Sequence, residues 1–334
     1  MSINNSMTVA GYYLVSPTEA HGFVRNADGS ITTFIVPGSL WTEPESINDN
    51  GEIAGFYLLG DGAPRGFERL ADGRVVISES AGPPDGPEAQ PVSINAYQGV
   101  AGNYPPDPAT SAGFVRYANG NFSTFSYAEE ADYPTVVTGL NANGTVVGYV
   151  SHGGGAESAF YRHPDGVSQQ FSVPVPGENS RDFNFATVAD AINAGGTIIG
   201  WYINCENACG YTVTGGYIRS PQGVFTFFSP PGTLLTVPEP GITTGAGSLT
   251  APHWLSINSD GSIAGSYIDA HQVQHGFVRC PSGDTTSFDP PNGKMTTATA
   301  INDAGAIVGT TYYQSAPSVP AGFLRVPVTQ PATP

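Results

Sequence analysis

Residues Ser46 to Arg69 read SINDNGEIAGFYLLGDGAPRGFER, and the punctuation of this stretch returns seven times along the 334 residues of the chain. An Ile-Asn or Leu-Asn pair leads into a turn, a short apolar run closes on Gly, a variable loop follows, and the unit continues with Gly-Phe-x-Arg. The Asn recurs as Asn4, Asn48, Asn95, Asn141, Asn193, Asn258 and Asn302, at spacings of 44, 47, 46, 52, 65 and 44 residues. A period in this range marks a solenoid or a propeller. The Gly that closes the run recurs as Gly11, Gly55, Gly102, Gly148, Gly200, Gly265 and Gly309, and the Arg as Arg25, Arg69, Arg116, Arg162, Arg219, Arg279 and Arg325.

Each unit predicts four short strands. In the fourth, Thr135 to Leu140, Thr145 to Val150, Ser158 to Arg162 and Ser168 to Val173 are rich in β-branched and aromatic residues and bounded by turn chemistry. Asp-Gly or Asn-Gly at Asp28-Gly29, Asp72-Gly73, Asn119-Gly120 and Asp165-Gly166 is the strongest short-range hairpin signal. Four antiparallel strands repeated seven times around an axis make a seven-bladed β-propeller, an all-β fold that hides its sheet edges by radial repetition. The expectation is one domain, 1–334, with blades near 1–40, 41–86, 87–132, 133–175, 186–229, 250–289 and 295–334. A β-solenoid has shorter coils than this period.

The 43 Gly, 29 Pro and 11% aromatic residues agree with a turn-dense β fold. A formal charge of −17 argues against nucleic-acid and anionic-membrane partners, which require clustered Lys and Arg. Seven of the 11 basic residues are the repeat arginines. An Arg at one place in every unit is expected to pack its stem between blades and bond carbonyls, since seven copies of a catalytic residue make no sense. The seven Asn, His21 and His275 are read as structural on the same ground.

Strand order assigns the faces. Links between strands one and two, and between three and four, are short, so one end of the barrel-like ring is trimmed. The long, dissimilar links fall on the other end, which is the expected functional face. Its excursions cluster around units four to six, where Arg181, Asp182, Phe183, Phe185, Tyr211, His253 and Trp254 lie. Trp41, Glu43, Glu45, Asp132, Tyr133, Lys294, Met295 and Tyr313 contribute from elsewhere. Aromatic, His, Arg and acidic groups converging over an axis describe a small-molecule pocket. In this reading Arg181, His253 and Asp182 are catalytic, and the other residues bind ligand.

The three cysteines fit no zinc pattern, and no metal or cofactor is expected. Cys205 and Cys209 share one loop and are expected to pair, which implies an oxidising compartment. Sequons at Asn4, Asn121 and Asn143 permit N-glycosylation in a secreted chain. No stretch of 18 apolar residues is present. The chain begins almost on its first Ile-Asn pair, so the innermost strand of unit one is expected to be missing; either the tail 326–334 completes a blade made from both termini, or an N-terminal segment has been removed.

The units SINDNGEIAGFY, HGFVR and INDAGAIVGT resemble the HAF-type extracellular repeats over essentially the whole chain. That resemblance implies a secreted propeller and attaches no activity. In overall plan the chain is also similar to the glycosylated fungal propellers that act as hetero-Diels-Alderases, although no catalytic residue of that group maps onto this sequence. The expected function is therefore a secreted, cofactor-independent cyclase of the cycloaddition type acting on a small molecule, as a monomer or weak homo-oligomer. The alternatives are a lectin or small-molecule binder without turnover, a hydrolase or lyase using His253 with an acidic partner, and a pure interaction scaffold.

Overall fold

The computed structural model describes residues 1–77, 89–104, 112–127, 134–152, 156–174, 183–206, 211–233, 236–238, 253–313 and 316–327. The side chains of 183, 205–206, 211–213, 236–238, 253–254 and 316–318 lie outside that description, although their backbone is in strands. The described residues form strands and turns, with no helix.

Unit two shows the plan: Trp41–Ile47, Ile53–Leu58, Pro64–Arg69 and Val75–Ile77 pair as an antiparallel meander. The first strand bulges between Pro44 and Ser46, directly over Gly55. A Cβ on Gly55 would stand 2.2 Å from the Glu43 carbonyl oxygen. Equivalent carbonyls of Gln90, Val136, Val188 and Thr297 press on Gly102, Gly148, Gly200 and Gly309. The recurring Gly is thus demanded by backbone approach at a bulge.

The Gly-Phe pair has a related cause. A Cβ on Gly113 would meet the Phe125 ring of the fourth strand at 2.4 Å. The aromatic residue of the pair then packs between units, with Phe67, Phe114, Phe160, Tyr217 and Phe277 no more than 1% exposed. The core is therefore divided into clusters that each straddle two consecutive units, such as Val24, Val36, Ile47 and Phe67 between units one and two. One further cluster joins Ala306 and Val308 of the last unit to Ile3 and Val9 of the first.

The seven Asn residues form a cycle of hydrogen bonds. Each Nδ2 donates to the carbonyl of the next Asn: Asn4 to Asn48 at 3.1 Å, Asn48 to Asn95 at 3.0 Å, Asn95 to Asn141 at 3.0 Å, and Asn141 to Asn193 at 3.1 Å. Asn193 donates to Asn258 and Asn258 to Asn302, both at 3.2 Å, and Asn302 returns to Asn4 at 3.0 Å. Each Oδ1 accepts the amide four residues on, from Thr8, Glu52, Gly99, Thr145, Thr197, Ser262 and Ala306.

The arginines pack as the sequence suggests, and the partner is specific. The guanidinium groups of Arg69, Arg162, Arg279 and Arg325 lie 4.8–5.7 Å from the rings of Phe34, Phe125, Phe228 and Phe288, which end the fourth strand of the preceding unit. Arg219 stands over both Tyr161 and Phe171. The fourth strand of unit two ends in Ile77 instead, and Arg116 binds the Glu68 carboxylate.

Two expectations about the ends change. Ser2–Ile3 does pair with Ala10 and Val9, so unit one has a short innermost strand and four strands of its own. No blade is shared between the termini among the described residues, and the tail 328–334 lies outside them. The Asn4 of the first sequon is 4% exposed, and its amide is bonded within the cycle.

Replacing Asn95 by Ala removes its bond to the Asn141 carbonyl and the acceptor for Tyr97 and Gly99. Buried partners left unsatisfied cost about 1–3 kcal/mol. Chemical denaturation should show a loss of that size for Asn95→Ala and a change within about 0.5 kcal/mol for the exposed Asn121→Ala; equal effects would refute the structural role of the cycle.

Candidate functional site

Two ends of the axis offer different chemistry. At the short-turn end, a cavity of ≈ 250 Å³ is lined by Ile or Leu, Asn and the following residue from all seven units. Its polar atoms are already engaged. Each Asn carbonyl accepts both the neighbouring Nδ2 and a turn amide, as Asn48 does from Asn4 and Gly51. Asp49 and Asp303 are bridged by the Asn5 amide at 3.0 and 2.8 Å, and Asp303 accepts the Ser259 amide. An apolar floor with a saturated polar rim holds the fold together and leaves little to grip a ligand.

Further along the axis the first strand of unit two presents Trp41, Glu43 and Glu45, all partly buried, while Thr42 and Pro44 between them are buried. The Trp41 indole N–H donates to Glu43 Oε2 at 2.7 Å. The Tyr12 ring of unit one stands 5.7 Å from the Trp41 ring, tilted by 47°. Burial, and then the charges of Glu43, Glu45 and Tyr312, push the Tyr12 phenol up. Beyond its pairing with Ser2–Ile3, the Val9–Ser16 strand exposes Tyr12 to Val15.

The acids here are held away from their ordinary state. Burial raises Glu43, opposed by the Trp41 hydrogen bond. Burial and then the charge of Glu43 raise Glu45 to about 7, with the Met1 α-ammonium pulling the other way. A second acidic group lies across units four to six. Burial lifts Asp190 to about 8, although it accepts the Leu255 amide, and lifts Glu157 to about 7. Glu157 Oε2 and Asp190 Oδ2 are buried without a hydrogen-bond partner. Tyr149 is raised to about 12 by burial and then by the charges of Glu157 and Asp190. Glu45 and Asp190 occupy one repeat position, three residues before Asn48 and Asn193.

The expected site residues divide accordingly. Trp41, Glu43 and Glu45 lie together on the first strand of unit two, with the Tyr12 ring of unit one against Trp41. Phe185 sits partly buried at a bulge of Phe183–Ile192, beside Asn184, which bonds Asn204 at 2.8 Å. Lys294 is exposed, and its backbone pairs with Tyr312 as Gly293 pairs with Tyr313. Arg181, Asp182, Tyr133 and Cys209 lie outside the described residues, as do the side chains of Phe183, Cys205, Tyr211, His253 and Trp254. Asn121 is exposed, and Asn143 donates to the Ala194 carbonyl. The sequence did not single out Glu157, Asp190 or Tyr149. The signal was present in register: Asp190 stands where Val92, Thr138, Leu255 and Thr299 stand in other units.

No family model and no curated protein matches the chain. Solved structures do. The β-propeller domain of the Trilobed protease from Pyrococcus furiosus is similar with a TM-score of 0.58 at 7% identity, covering 97% of this chain and 93% of that one. The fold is a β-propeller. A puromycin hydrolase S511A mutant is similar with a TM-score of 0.60 at 12% identity, covering 97% of this chain and 51% of its own. A prolyl endopeptidase matches at 0.51 and 11% identity, over 94% and 47%. The chain thus spans about half the length of these two enzymes, and at such identities the likeness concerns the fold alone.

The raised acids give stability a pH dependence. An Asp190 carboxyl that folding lifts from 3.8 to about 8 binds its proton more tightly in the folded chain. Its contribution is complete below the ordinary value and is lost as pH rises through the folded one. The thermal midpoint should fall between roughly pH 5 and pH 8, and Asp190→Asn should flatten that decline. An unaltered slope in the variant would show that Asp190 is not the group responsible.

Proposed function

We propose that the chain is a ring of seven blades whose channel, blocked at the short-turn end, holds a neutral, oxygen-rich small molecule and catalyses its cyclisation without a cofactor. The closed count of seven is supported by the Asn cycle and by the cluster joining the last unit to the first. The observation that carries the functional reading is Glu45, an incompletely buried carboxyl raised to about 7 beside Trp41, Glu43 and Tyr12. A carboxyl that keeps its proton near neutral pH can donate a hydrogen bond to a carbonyl oxygen.

In a hetero-Diels–Alder cycloaddition that donation draws electron density from an unsaturated carbonyl compound and makes it a better partner for an alkene. One C–C and one C–O bond form, and no atom leaves. The enzyme need only hold two π systems in attack geometry and stabilise developing charge on oxygen. Trp41 and Tyr12 supply apolar walls that strengthen the hydrogen bond by keeping water away. Arg181, Asp182 and His253, the catalytic candidates of the sequence, complete the site in this reading, and export from the cell follows from the repeat resemblance.

The paired aromatic faces beside carboxyls also suit a sugar-binding site, which is the second reading. Incubation with unsaturated carbonyl compounds and alkene partners, followed by mass spectrometry and chiral chromatography, separates the two. Product of unchanged mass sum and fixed handedness is expected, with a rate that falls as pH rises through about 7 and drops roughly 10²-fold in Glu45→Gln at unaltered melting temperature. Saccharide binding with no such product would favour the lectin; a Glu45→Gln variant of undiminished rate would remove Glu45 from the mechanism.

A further inference from the structure

The repeat pattern changes at Ala316–Arg325, the third strand of the seventh unit. It pairs with Ile307–Tyr313 on one side, and its other edge has no strand among the described residues. In the other units that edge carries a fourth strand, with Arg opposite the residue six places on. Where the fourth strand ends in Phe, the ring seats on the Gly of the Gly-Phe pair: a Cβ on Gly22, Gly113, Gly216 or Gly276 would stand 2.4–2.7 Å from it. Gly322 is the equivalent residue and is exposed, and a Cβ there would meet nothing nearer than Met1 Sδ at 3.4 Å. The next unit agrees. Arg25 holds the place from which Arg69 stands over Phe34, yet no ring lies beneath it among the described residues, and its guanidinium bonds the Asn26 carbonyl at 3.2 Å. Five of the clusters between units include a fourth-strand ring, from Phe34, Phe125, Phe171, Phe228 and Phe288, and the cluster between the last and first units includes none.

The residues that follow Arg325 do not spell such a strand. A Gly of positive φ stands four places after Arg in the other units, from Gly29 to Gly283, and Thr329 stands there in the seventh, a β-branched residue for which that backbone is costly. Pro331 and Pro334 take the places of the strand's first and last residues, and Pro cannot donate to a ladder. We propose that the outer edge of Ala316–Arg325 binds an extended, uncharged segment of another protein, rich in Ser or Thr and closed by Phe, which adds as the fourth strand of the seventh unit. Its chemistry is set by the strands that fill this place elsewhere: Ile31–Phe34, Phe122–Phe125 and Thr285–Phe288 read ITTF, FSTF and TTSF, and no fourth strand of any unit carries a charged residue. The added Phe lies on Gly322 beneath Arg25 and extends the established contact of the last and first units outward from Ile3, Val9 and Val308. The same edge of a second copy reads Gly-Phe-Leu-Arg, which is charged and holds no Ser or Thr. This edge stands independently of the cyclisation reading.

The test titrates the full chain into a fluorescein-labelled peptide SITTFIV, the sequence of residues 30–36, and follows anisotropy. Saturable binding of one peptide per chain is expected, with slowed hydrogen exchange within 321–325. Ala in place of the peptide's Phe should weaken binding roughly tenfold or more, as the loss of a buried ring implies. Gly322→Ala should weaken it to a similar degree, because its Cβ stands in the ring's seat, and should melt with the parent chain, because that Cβ fits the free chain without a clash. Arg25→Ala should weaken binding roughly 2- to 5-fold through the lost cation–ring contact. No binding by the parent chain, or undiminished binding by Gly322→Ala, overturns the proposal. Sedimentation that finds a dimer abolished by Gly322→Ala would give the edge to a second copy and overturn it too.

Discussion

The bond on which the architecture depends is the one from each repeat Asn Nδ2 to the carbonyl of the next repeat Asn. An Asn side chain has two donors and an acceptor with two lone pairs, enough to cap its own turn and still reach across to a neighbour. An ionised Asp at this place would cap the turn but would lack the donor for the crossing. Because every carbonyl in the cycle also accepts from its own turn, the narrow end of the axis carries no dangling polar group. That satisfaction lets seven aliphatic side chains gather there without trapping an unmet hydrogen bond.

Much of the fold was legible because these constraints act at fixed offsets. The Asn, the bulge-facing Gly and the Gly-Phe pair each answer a steric or hydrogen-bonding demand that recurs in every unit, so they recur as letters. The stacking of Arg69, Arg162, Arg279 and Arg325 on the preceding unit's Phe was not legible, since the partner lies about a unit upstream and the pairing is set by three-dimensional stacking. Met7 and Gln98 show a local departure: both adopt the left-handed backbone that Gly takes at Gly51 and Gly144. Their turns form anyway because the Asn cap is retained.

The candidate site was legible only in part. Trp41, Glu43 and Glu45 stood out as an aromatic and two acids along an inner strand, but Asp190 did not, because a single acid three residues before Asn looks like ordinary variation in one strand. What makes Glu45 and Asp190 unusual is the register that places them against neighbouring units and away from water. A buried acid kept in place of Val or Thr is expensive. Variation at a position the scaffold does not need is where a repeat protein is free to place chemistry.

The division of the core into clusters that straddle units has a consequence for how the chain acquires its structure. No unit owns a core, so an isolated unit has two greasy faces and nothing to shield them. Ile3 and Val9 find their partners in Ala306 and Val308, about 300 residues on, so that face stays bare during synthesis until those residues have been made. A linear array of stacked repeats can nucleate anywhere and lengthen at will. Here the faces of the first and last units meet each other, and parting them would expose the same kind of sticky surface on both sides, one suited to capture the neighbouring unit of a second molecule.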